Sequence, residues 1–137
     1  MRKHTDIAIA YASAALAFGV YYRELTRIMG FTGITMLSKV HPHLFMLGMA
    51  VFLFASLFSE RRAIEKTRTY RPFMICYNIG LLLTALMMAL RGTLEVTGYA
   101  FTKALDASIS GIAGIGHILL GAGMILFLAA IRNSKER

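Results

Sequence analysis

Two histidines flank a proline in Val40-His41-Pro42-His43, and the sixteen apolar or small residues that follow carry no charge before Glu60. An imidazole entering hydrocarbon costs free energy unless it is paired or bound, so two of them at the head of an apolar run point to a ligand. Neutral imidazole binds zinc, copper and haem iron. Spacing narrows the choice. Successive helical residues turn by about 100°, so side chains at i and i+2 diverge by roughly 200°. His41 and His43 on one helix are therefore expected to serve two different sites, not to grip one ion together. A zinc or copper site would also want more donors, and Cys76 is the only thiol. Wetted interfacial imidazoles are the plainer reading of the pair.

His117 is the third histidine inside an apolar stretch, with Ser110, Ala113, Gly114 and Gly121 around it at helical spacing. Such small neighbours leave room for a flat ring or for another backbone. A single hydrogen bond to a carbonyl on a neighbouring helix would explain the same residue without any cofactor. Arginines complete the candidate set. Arg23 and Arg27 close the first apolar stretch, and Arg91 ends the third. A guanidinium fork pairs with carboxylates, and haem carries two propionates, so Arg23 and Arg91 are candidate propionate partners. Pairing with Glu24 and Glu95 is the simpler role for these side chains. Tyr77 and Asn78 are expected to hydrogen-bond between helices. His4, in a short basic tail, is expected to be solvated, and Tyr11, Tyr21 and Tyr22 to pack or anchor at an interface.

These residues sit in a chain of 137 residues that is 57% hydrophobic and 16% charged, with a mean hydropathy of +0.61. That is too apolar for a soluble domain of this size. Runs of about 20 apolar residues are long enough to span a bilayer as helices, and four of them lie near 6–28, 37–59, 72–97 and 106–131. The expected fold is all-α, a single integral membrane four-helix bundle over residues 1–137. Gly30 and Gly33 mark the first turn, Ser38 is the expected N-cap of the second helix, and Pro42 is expected in its first turn. Ala8, Ala12, Ala15 and Gly19 form a small-residue stripe suited to close helix approach.

Five Lys or Arg residues fall within 60–71, against three in 23–39 and two in 91–105. Short basic loops stay in the cytoplasm, so both termini are expected there, with His41 and His43 near the outer boundary. The net charge of +8 is thus a matter of topology, and no motif reads nucleic acid. Catalytic triads, paired intramembrane carboxylates and phosphate-binding glycine loops are absent from the sequence, which leaves no hydrolase or transferase signature.

Two resemblances follow from these residues. Tyr21-Tyr22-Arg23-Glu24, the stretch from Leu37 to Met49 and the stretch from Ile109 to His117 resemble an uncharacterised family of small four-helix bacterial membrane proteins, which implies the bacterial cytoplasmic membrane. His41-Pro42-His43-Leu44-Phe45-Met46-Leu47-Gly48 resembles the His-x-His helix of subunit I in haem-copper oxidases and nitric oxide reductases. That resemblance implies histidine ligands to two different haems. It also implies a homotrimer, because the oxidase subunit resembles three four-helix units around a pseudo-threefold axis, with His-x-His on the second helix of a unit. The copper-site helix and acidic proton channel of those enzymes have no counterpart here. The function expected from the sequence is therefore a membrane b-type haem protein for electron transfer or redox or gas sensing, with an unnamed redox partner. A non-redox membrane accessory protein or metal chaperone for copper or zinc is the alternative.

Overall fold

The computed structural model describes residues 2–136. Four long helices account for most of them: α1 Arg2–Ile28, α2 Leu37–Arg61, α3 Tyr70–Val96 and α4 Lys103–Asn133. The boundaries expected from apolar runs shift by at most four residues, because the helices continue through the charged residues that flank each run. Three of the helices, α2, α3 and α4, are long and apolar enough to cross a membrane. Charged residues at both ends of α1 and its three tyrosines make it less apolar, although its 27 residues match the others in length.

α1 lies along α2, α2 along α3, and α3 along α4, while α4 touches no other long helix to a comparable extent. The arrangement is a bent row of antiparallel helices, in which α1 also reaches α3 through side chains, rather than a ring closed around one axis. Its core is built where α1, α2 and α3 meet, from Tyr11, Phe52, Phe73 and Tyr77 among others, with Phe127 of α4 stacked on Phe73 at 4.7 Å. Large apolar side chains cover the outside: Ile118 is 73% exposed and Leu16 63%. A surface of that kind suits lipid, not water. Tyr11 and Asn78, both within this apolar frame, satisfy each other at 2.7 Å, and Tyr77 donates to the Leu47 carbonyl at 2.8 Å. The expected interhelical role of Tyr77 and Asn78 holds.

Two local expectations at the head of α2 are corrected. Thr35, not Ser38, accepts from the Leu37 N–H at 3.2 Å, and Ser38 lies inside the helix, donating back to the Thr35 carbonyl at 2.8 Å. Helix formation therefore begins before Ser38, and Pro42 falls in the second turn, as the sixth residue of Leu37–His43. Proline has no N–H for the carbonyl four residues back and its ring crowds that carbonyl. The next seven residues, Leu44–Ala50, wind as a π-helix before α-geometry resumes at Val51. Such wide turns appear where a helix absorbs a local disturbance.

His4 is the clearest correction. It is 1% exposed, its Nε2 shares a 2.8 Å hydrogen bond with the Tyr70 hydroxyl, and its Nδ1 lies 3.3 Å from Ser59 Oγ. His4, Ala8, Tyr11 and Ala15 are the buried residues of α1, so the packed stripe continues one turn towards the N-terminus from Ala8. Burial pushes the His4 pKa below its ordinary value, and the Glu65 carboxylate opposes that shift without reversing it. A lowered folded-state pKa means the unfolded chain takes up the proton first. Its stabilising contribution is complete above pH ~6.5, the unfolded value, and declines as the pH drops towards the folded one, by no more than about 1.4 kcal/mol per pH unit. The midpoint of thermal unfolding in detergent should therefore fall between pH 7.5 and pH 5, and His4→Gln should flatten that fall. Equal slopes would clear His4 of the acid sensitivity.

Candidate functional site

α-Helical backbone spans Leu37–His43, so the roughly 200° divergence of His41 and His43 applies. His41 faces α1: a Cβ placed on Gly19 would sit 3.9 Å from the His41 Cβ and Cγ. Glycine there lets the imidazole lie close against the neighbouring backbone. The Nδ1 of His41 is buried and has no hydrogen-bond partner; among the described residues only Thr84 Oγ1 shares that condition. Leaving a polar atom buried and unpaired costs roughly 1–3 kcal/mol.

His43 leaves the other flank of α2 and is partly buried. Its Nδ1 lies 2.9 Å from the Lys39 carbonyl oxygen. A carbonyl only accepts, so Nδ1 is the donor and Nε2 is the ring nitrogen left to meet a ligand. His117 repeats the arrangement on α4, with Nδ1 donating to the Ala113 carbonyl at 2.8 Å. Its side chain is exposed. Cβ atoms placed on Gly111, Gly114 or Gly121 would meet nothing within 4 Å, so the expected open ground around His117 is present. The bond to a carbonyl on a neighbouring helix expected for it is not made; its carbonyl partner, Ala113, lies on α4 itself.

His43 and His117 stand at similar depth. Gly92 of α3 abuts Leu37 of α2, and Gly116 of α4 abuts Thr84 of α3. At 1.5 Å per residue His43 lies about 9 Å in from Leu37, and Thr84 about 12 Å in from Gly92. The two imidazoles thus lie within about one helical turn of each other in depth, on helices that flank α3 and do not pack extensively on each other. Nowhere among the described residues do three His, Cys, Asp or Glu side chains converge to hold a metal ion.

The arginines are engaged locally. Arg91 Nη2 donates to Asp106 Oδ1 at 2.6 Å and to Ser110 Oγ at 2.8 Å, and its guanidinium carbon stands 5.9 Å from the Phe101 ring centroid. Those bonds use Nη2, and the side chain keeps 27% of its surface open. Glu95, the partner expected from its spacing, instead accepts from the Met36 N–H at 2.7 Å. Arg23 and Arg27 reach Glu24 at 3.8 and 3.6 Å with more than 70% of each arginine side chain exposed. Ion pairs that open to solvent contribute little stability.

The elements and their lipid-suited surface define an all-α protein of the membrane, with histidines carried inside apolar helices. Within that class the chain belongs to the family described as "Protein of unknown function (DUF2871)", which it matches over residues 1–134. No curated protein and no solved structure matches it.

Proposed function

We propose that this chain is a four-span membrane protein that binds haem b through histidines presented between copies of itself. The observation that carries this reading is the shared state of His43 and His117. Each has Nδ1–H fixed on a carbonyl of its own helix. Fixing that proton leaves Nε2 as the ligating nitrogen, which is how metal-bound histidines are commonly held. Neutral imidazole so oriented is the form that haem iron accepts as an axial ligand.

His41 supplies a third imidazole on the α1 side, with a buried Nδ1 still lacking a partner. Since α2 and α4 do not pack together within the chain, a ligand shared by histidines from both helices must lie between copies. A cyclic homotrimer resembling the three units of an oxidase subunit I would bring them together, and closed symmetry is the common form for homo-oligomers. Arg91 and Arg23, on the same side of the row as the start of α2, would hold propionates through their remaining N–H groups. Bound haem would supply reversible one-electron exchange between ferric and ferrous iron. The chain's own contribution is to fix the imidazole protons, exclude water with the apolar helices and neutralise the propionates. Electron transfer or redox sensing in the bacterial cytoplasmic membrane, with both termini cytoplasmic, fits six-coordinate iron better than catalysis does.

A reduced-minus-oxidised visible spectrum of the protein purified from cells supplied with haem precursor tests the reading. Sharp α and β bands of a b-type haem, with iron in stoichiometric amount, are expected. A flat difference spectrum together with bound copper or zinc would replace it with the metal-carrier alternative.

A further inference from the structure

At the far end of α2 from His41 and His43, the chain forms a groove of about 920 Å³ lined by Phe54, Leu57, Phe58, Glu60, Arg61, Arg62 and Glu136. One half of it is apolar. Phe54 and Leu57 are each 58% exposed, and they lie on the last turns of a helix apolar enough to cross a membrane. The other half carries both signs of charge within a few residues, at the level where the apolar run ends. Such a boundary coincides with the headgroup layer of a bilayer.

The charged wall is held in shape by the end of the chain. Arg62 donates through Nε to Ser134 Oγ at 2.9 Å and through Nη2 to the Ser134 carbonyl at 2.6 Å. Ala63 N–H donates to the Lys135 carbonyl at 2.9 Å, and the backbones of Arg62 and Glu136 pair as an isolated antiparallel bridge. Arg62 is thereby committed to structure. Arg61, Glu60 and Glu136 are exposed and form no ion pair with any described residue.

We propose that this groove binds a zwitterionic phospholipid with a primary ammonium headgroup, phosphatidylethanolamine in chemical terms. An acyl chain lies on Phe54, Leu57 and Phe58, the phosphate meets Arg61, and the ammonium meets Glu60 and Glu136. Charge complementarity decides the headgroup. An anionic lipid would place its only charge beside two carboxylates. A quaternary ammonium has no N–H to donate to them, whereas a primary ammonium has three. The apolar floor requires a chain-bearing lipid and not free phosphate.

Native mass spectrometry of the full-length protein released from detergent tests this, using phosphatidylethanolamine, phosphatidylcholine and phosphatidylglycerol of identical acyl chains. Phosphatidylethanolamine should be retained at least about five-fold better than either of the others. Arg61→Gln should reduce retention of all three about five-fold, the loss associated with roughly 1 kcal/mol per basic residue at a lipid phosphate. Glu60→Gln combined with Glu136→Gln should bring phosphatidylethanolamine down to the phosphatidylcholine level and leave the latter unchanged. Arg71→Gln, a basic residue outside the groove, should change nothing. Preference for phosphatidylglycerol, equal retention of all three lipids by the unaltered protein, or equal effects of Arg61→Gln and Arg71→Gln would each overturn the proposal.

Discussion

His43→Ala should abolish the haem difference bands while leaving the helical circular dichroism signal intact. The side chain is only partly buried, and among the described residues its hydrogen bond is to the Lys39 carbonyl of its own helix. Removing it therefore takes little from the packing. On the proposed reading it would take from iron an imidazole already oriented by its Lys39 bond. Disturbing the group that orients a histidine ligand commonly costs 10–100-fold in metal affinity, so removal of the ligand should lower haem occupancy by at least about ten-fold. His41→Ala should do the same if the two faces of α2 serve haems on both sides. His117→Ala distinguishes the possible pairings. Joint loss with His43 places iron between α2 of one copy and α4 of another. Loss confined to the two α2 variants places it between α2 helices. Full haem content in all three variants would reject His41, His43 and His117 alike as ligands, whatever the spectrum of the unaltered protein.

How much of this was legible in the sequence depended on whether a property is local. Helix positions were, because apolar runs end at charge clusters, and the divergence of His41 and His43 follows from helix geometry alone. What required the fold was the choice of partner. Spacing paired Arg91 with Glu95 on the next turn, yet Asp106 on α4 takes the arginine and Glu95 is drawn to the Met36 N–H. His4 looked like part of a basic tail. The available signal was its place four residues before Ala8, which continues the packed stripe of α1, but Ser59 and Tyr70 lie 55 and 66 residues away. The π-helical winding after Pro42 and the groove closed by Ser134 to Glu136 likewise depend on pairings that no local pattern displays.

The second large effect belongs to the glycines of α3 and α4, which divide into two sets of opposite consequence. A Cβ at Gly80 would strike the Leu120 backbone nitrogen and come within 2.8 Å of the Gly116 carbonyl oxygen, and one at Gly123 would stand 2.7 Å from the Tyr77 nitrogen. These are backbone atoms, so no side-chain rotation relieves the clash and the two helices must separate. Even moderate overpacking costs about 1–3 kcal/mol, and Gly80→Leu adds a whole side chain to a seam with no space. Loss of cooperative unfolding, or a midpoint far below that of the unaltered protein, is expected for Gly80→Leu in detergent. Gly114 faces the opposite way, with nothing within 4 Å. Within a single chain, Gly114→Leu should therefore unfold no more easily, since leucine favours a helix over glycine by several tenths of a kcal/mol or more. If copies meet across the His117 face, the same substitution should disrupt the oligomer and remove haem while the chain stays folded. Size-exclusion chromatography with light scattering, run beside the melts, separates these outcomes. An oligomer indifferent to Gly114→Leu would mean that α4 presents this face to lipid alone, and His117 would then have no second copy to share a ligand with.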